Sequence, residues 1–118
     1  MKTILLVFLG GGLGSAARFL ASKILTADKF PLGTFAVNIL GCFLIGLLMG
    51  LFSKNVISQD VKMFLTVGFC GGFTTFSTFM NENLSLMKAG DFAMSALYLT
   101  VSVLTGFLAV WAGGKIVE

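Results

Sequence analysis

The chain has 118 residues, of which 57% are hydrophobic and only 11% charged, and its mean hydropathy is +1.00. A water-soluble domain carries about a quarter charged residues to keep its surface hydrated, so this composition excludes a soluble globular domain and specifies an integral membrane protein. The net charge of +3 is scattered, with no Lys/Arg stripe, which excludes a nucleic-acid-binding surface.

A membrane-crossing helix needs roughly 20 apolar residues to span about 30 Å of hydrocarbon, and four stretches qualify. The first is "TILLVFLGGGLGSAARFLASKIL", residues 3–25. Lys2 before it and the small residues within it resemble a secretory signal, but Arg18 interrupts the apolar run and no soluble mature domain follows, so a spanning helix is expected. The second is "GTFAVNILGCFLIGLLMGLF", residues 33–52, preceded by the only proline, Pro31. It places Asn38 about a turn and a half into the membrane. The Asn38 amide offers two donors and an acceptor, and two uses are open: a bond that glues helices together, or a place on a polar pathway.

The third span, residues 62–87, contains "GFCGGFTTFSTF" (68–79). Gly71 and Gly72 weaken a helix, and the hydroxyls of Thr74, Thr75, Ser77 and Thr78 can bond the backbone groups so released. Non-helical backbone is tolerated at membrane depth only where protein or a water-filled cavity surrounds it, so a broken helix facing the interior of an assembly is expected. Its free carbonyls suit a small cation held without any carboxylate. Phe73, Phe76 and Phe79 recur every third residue. Such a stripe usually packs, yet aromatic edges are weakly positive, and together with hydroxyl and amide protons they suit a small anion that must bind weakly to move. The fourth span, residues 92–114, sets Tyr98 and Ser102 four apart on one face, with Thr105 near the same stripe.

The intervening loops are short, so residues 1–118 read as one transmembrane module. The side holding both termini and the middle loop carries Lys2, Lys54, Lys62 and Lys115; the other carries Lys23, Lys29 and Lys88, with Arg18 dipping in from that half. Orientation follows such Lys/Arg bias, and here there is almost none. Either the chain inserts both ways and pairs with an opposed copy, or the single extra lysine fixes one orientation. Gly10/Gly14, Gly46/Gly50 and Gly68/Gly72, each four apart, agree with close helix pairing, and four spans are too thin a bundle to act alone. Cys42 and Cys70 lie in apolar runs without metal-ligand company and read as small buried hydrophobes. No carboxylate lies in the middle of a span. Glu82 comes nearest, just beyond the motif, and there is no histidine. This weighs against a proton-coupled exporter and against an intramembrane enzyme. A structural membrane subunit without transport activity stays open.

Four motifs now carry a resemblance over essentially the whole chain: "GGLGSAARF" (11–19), "GTFAVNILG" (33–41), "GFCGGFTTFSTF" (68–79) and the Tyr98…Ser102 spacing. In this order they resemble the CrcB/Fluc family of small fluoride channels. The resemblance implies an all-α membrane protein of four helices with a broken third, assembled as an antiparallel homodimer of dual orientation. It implies a passive fluoride channel, not an enzyme, in the lipid of the cell inner (plasma) membrane. It also implies a structural Na+ at the dimer centre, held by backbone carbonyls of Gly71 and Thr74. By the same resemblance Phe76 and Phe79 turn ring edges to the fluoride path, and Asn38, Tyr98 and Ser102 line it. Thr75, Ser77 and Thr78 belong to the hydroxyl-rich break. Arg18 serves vestibule electrostatics or anchoring, with plain snorkelling as the alternative. Phe73 and Gly106 depart from the family pattern, which touches the detail of the fourth-helix track.

Overall fold

The computed structural model describes residues 1–118. Helix α1 (Lys2–Ile24) and helix α2 (Leu32–Ser53) are the first two spans. The third span, Gln59–Lys88, is built in pieces: α3 (Gln59–Lys62), a π-helix (Met63–Cys70), α4 (Gly71–Phe73) and α5 (Ser77–Lys88). Helix α6 (Phe92–Ile116) completes the set. All four spans are long and apolar enough to cross a bilayer.

The third span starts a little before the apolar run does, because Ser58 caps it: its Oγ accepts the Val61 amide at 3.2 Å. Asp91 does the same for α6, accepting the Met94 amide at 3.3 Å. Between α5 and α6 the chain turns through Gly90 at φ +82, a left-handed conformation that suits glycine. The break in the third span is real but falls later than the glycines. Gly71 is helical at φ −61, ψ −38, and the helix stops at Thr74, which is extended at φ −88, ψ 160.

The glycines do something else. Helix α1 packs against the π-helix and α4, and α2 packs against α6. A Cβ on Gly10 would strike the Phe64 carbonyl, and one on Gly14 the Phe69 carbonyl. On the other pair, Gly46 lies against Val110 and Gly113 against Phe43, backbone to backbone. The glycines that signalled close helix pairing find it within one chain, where only a missing side chain lets the backbones touch.

Burial is inverted relative to a soluble protein. The buried hydrophobic set is small, Val37, Cys70, Phe73, Phe79 and Tyr98, and it sits beside buried Thr34, Thr66, Asn83 and Ser95. Phe8, Phe107 and Leu108 lie outside, each more than half exposed. In a bilayer the outer surface needs apolar groups and polar atoms need partners inside, and the chain is a multi-pass membrane protein on both counts. Its dimensions of 48 × 30 × 21 Å leave a thin slab rather than an enclosing bundle.

Candidate ion pathway at the helix break

The break exists because side chains from other spans take over the backbone bonds that it gives up. Asn38 forms a two-way clasp with Thr75: its Nδ2 donates to the Thr75 carbonyl at 3.0 Å, and its Oδ1 accepts the Thr75 amide at 2.8 Å. Thr75 Oγ1 in turn accepts the Thr78 amide at 3.3 Å and starts α5. On the other side of the break Arg18 Nε donates to the Gly72 carbonyl at 3.0 Å, near the end of α4, where a cation complements the helix dipole. Ser15 Oγ reaches the same carbonyl at 3.5 Å.

This arrangement frees two carbonyls. In an unbroken α-helix the amides of Thr75 and Thr78 would bond the carbonyls of Gly71 and Thr74. Both amides go instead to side-chain oxygens, so both carbonyls are left without a helical partner. The Thr74 hydroxyl does not replace those bonds, because it donates to Cys70 O at 2.9 Å.

An open cleft of about 370 Å³ lies along the break, lined by Asn38, Thr74, Thr75, Phe76, Phe79 and Ser102 together with apolar residues of α2 and α6. Phe76 is 72% exposed and Phe79 only 6%, their ring centroids being 6.3 Å apart at 57°. The Ser102 hydroxyl is buried and has no protein partner. A smaller cleft of about 120 Å³ brings Arg18 together with Thr34, Thr75 and Thr78. Ser77 is exposed and lines neither cleft.

Tyr98 and Ser102 share a face of α6 but differ in surroundings. Ser102 lines the large cleft, whereas Tyr98 is fully buried behind Phe79, in edge contact at 4.8 Å. Its hydroxyl donates to Glu82 Oε1 at 2.7 Å, and Thr34 donates to Glu82 Oε2 at 2.8 Å. Glu82, just beyond the motif in sequence, thus joins the polar cluster behind Phe79. It is one further step of three along the Phe76–Phe79 stripe, and a half-buried carboxylate there needs donors, which α2 and α6 provide. That spacing was the available signal. Thr34, Asn83 and Ser95 were also missed, since each is a lone polar residue whose partner comes from another helix or another turn. No group of three or more His, Cys, Asp or Glu side chains gathers anywhere as a metal site.

The family described as CrcB-like protein, Camphor Resistance (CrcB), matches residues 5–114. The chain is 46% identical over 125 residues to the fluoride-specific ion channel FluC of Bacteroides fragilis, covering 100% of this chain and 98% of that protein. It is 50% identical over 116 residues to the FluC of Phocaeicola vulgatus, with 96% of each chain covered. With the FluC of Gloeothece citriformis it shares 48% over 122 residues, covering 100% of this chain and 98% of that one. These matches run from the first span through the helix break to the last, and the chain belongs to the CrcB family.

Proposed function

We propose that this protein is a passive, fluoride-selective ion channel of the plasma (cell inner) membrane, and not an enzyme. The observation that carries the reading is the cleft at the break, which offers an anion donors without a fixed positive charge. The Ser102 hydroxyl has no partner of its own, the Asn38 amide keeps one N–H beyond its clasp, and Phe76 and Phe79 supply ring edges. Such donors bind weakly enough to release an ion, as conduction demands. The names of the relatives support the same substrate. An inside-negative potential drives fluoride outward by about 2.3 kcal/mol per charge per 100 mV, so no coupling is needed.

The working unit on this reading is an antiparallel homodimer. The near-even lysine count supports insertion both ways, and a slab this thin leaves the break on its surface, with Phe76 and Gly71 exposed. The carbonyls of Gly71 and Thr74, relieved of helical bonds, are hard oxygen donors of the kind Na+ accepts. Two copies supply four of them, and a bound Na+ would contribute positive charge at the dimer centre. Arg18 anchors the break through Gly72 rather than touching the ion.

Glu82 gives specific support to a second reading, a proton-coupled exporter, because it is an acid within the membrane. Against this, both its oxygens are engaged by hydroxyls. Efflux from liposomes holding only the purified protein separates the two. With a potassium ionophore and no pH gradient, rapid fluoride release with chloride retained is the expected result. Release that appears only with an imposed pH gradient would favour the exporter. Silence from a well-folded protein would remove the channel reading and leave an exporter of cations or drugs, or a non-transporting structural subunit.

A further inference from the structure

Asn83 and Ser95 form a buried polar pair that the pathway described so far does not use. Asn83 is 5% exposed and Ser95 3%. Asn83 Nδ2 donates to the Phe79 carbonyl at 2.8 Å, and Asn83 Oδ1 accepts the Ser95 hydroxyl at 2.9 Å. Phe79 and Asn83 are one turn apart on α5, as Ser95 and Tyr98 are on α6, so the two helices meet in two rungs. One rung is aromatic, the Phe79–Tyr98 edge contact at 4.8 Å; the other is the Asn83–Ser95 hydrogen bond.

The geometry points to Asn83 and Ser95 as positioning residues that fix the register of α5 against α6, and so place Phe79, Tyr98 and Glu82 for ion passage. This rests on the channel reading. Helices α5 and α6 are joined through Ala89, Gly90 and Asp91 alone, with Gly90 in a left-handed turn, and aromatic contacts by themselves tolerate sliding. A hydrogen bond does not. Any slip along the helix axis would leave the Asn83 amide and the Ser95 hydroxyl unpaired in an apolar setting, where an orphaned polar group is costly. Asn83 also grips the carbonyl of Phe79 itself, so the lock acts on the pathway residue directly.

Three substitutions at one position test the idea. Ser95→Thr and Ser95→Val add the same bulk, and only threonine keeps the hydroxyl, while Ser95→Ala removes the hydroxyl without adding bulk. Two readouts are taken on the purified protein: fluoride release from liposomes, and the near-ultraviolet tyrosine band, recorded in a Trp111→Phe background so that Tyr98, the only tyrosine, is its source. The expected result is that Ser95→Ala and Ser95→Val lower fluoride release by about tenfold or more, the lower end of what losing an outer-shell hydrogen bond does at metal sites. Both should shift the tyrosine band, and Ser95→Thr should restore flux and band together relative to Ser95→Val. If Ser95→Ala releases fluoride like the parent protein, the proposal is overturned. It is equally overturned if flux falls while the tyrosine band stays put, because Ser95 would then act by some route other than register. A parent protein that releases no fluoride removes the channel reading, and the band still decides whether the register lock exists.

Discussion

Asn38 is the residue on which the break depends most. It satisfies both the amide and the carbonyl of Thr75, two groups that neither helix nor water would otherwise serve at membrane depth. Asn38→Ala should therefore destabilise the protein by about 1–3 kcal/mol for each group left unpaired, read as a lower unfolding temperature in detergent. Asn38→Asp keeps the acceptor for the Thr75 amide but sets a carboxylate oxygen against the Thr75 carbonyl and a negative charge beside the cleft. It should block fluoride release from liposomes, and normal release would reduce Asn38 to helix glue. The phenylalanines are tested separately. Phe76→Ile and Phe79→Ile should each abolish or strongly reduce fluoride flux while the protein still assembles by size-exclusion chromatography; unchanged flux in both would end the ring-edge account. Glu82→Gln keeps one acceptor and turns the other into an N–H donor, so one of the two hydroxyls, of Thr34 or Tyr98, must reverse and accept. Exchanging charge-assisted bonds for neutral ones should lower stability by about 1 kcal/mol, seen in the same thermal measurement.

At the scale of the elements, close packing of backbones does what large side chains do in a soluble core. The lipid is as apolar as leucine, so helices gain little by hiding apolar area from it and associate through contact at short range. Helix α1 shows the contrast within a single turn. Gly14 lies backbone to backbone with Phe69, whereas a Cβ on Gly12 would meet nothing. Gly14→Ala should push α1 off the π-helix and cost about 1–3 kcal/mol, the usual penalty of overpacking. Gly12→Ala should be neutral or stabilising by about 0.5–1 kcal/mol, because alanine restricts the helix less unfavourably than glycine. Parallel thermal unfolding curves of the two variants check this, and equal losses would mean that glycine matters here for backbone conformation rather than for approach. The same packing explains why the third span breaks where it does. Gly72 is still pressed against α1 near Gly11, so the chain is held helical through the glycines. It is released only at Thr74, where Asn38 takes over.

At the scale of the molecule, the slab leaves the break at a surface, with Gly71 and Phe76 exposed, and a second copy is the partner proposed to cover it. The dual-orientation reading predicts that a label on either terminus becomes accessible from both sides of the membrane, in comparable amounts. A label reached from one side only would refute it and would leave the single extra lysine as the determinant of orientation.

The class of the protein, its four spans, the neighbourhood of the break and most of the residues around the cleft were legible along the chain. Apolar run length, a glycine and hydroxyl cluster and a three-residue aromatic spacing are properties of neighbours, and a bilayer translates run length directly into spanning helices. What the tertiary structure decided was who partners whom. Asn38 finds Thr75 and Arg18 finds Gly72 across intervals of 37 and 54 residues, and Thr34 reaches Glu82 across 48. Only those contacts move Glu82 from the margin into the polar cluster, set Tyr98 behind Phe79 rather than on the cleft with Ser102, and spend the glycine pairs inside one chain. The physical reason is common to all of them: a polar group within a membrane must be satisfied by whatever donor or acceptor the packing brings near, and packing brings together residues that the sequence keeps far apart.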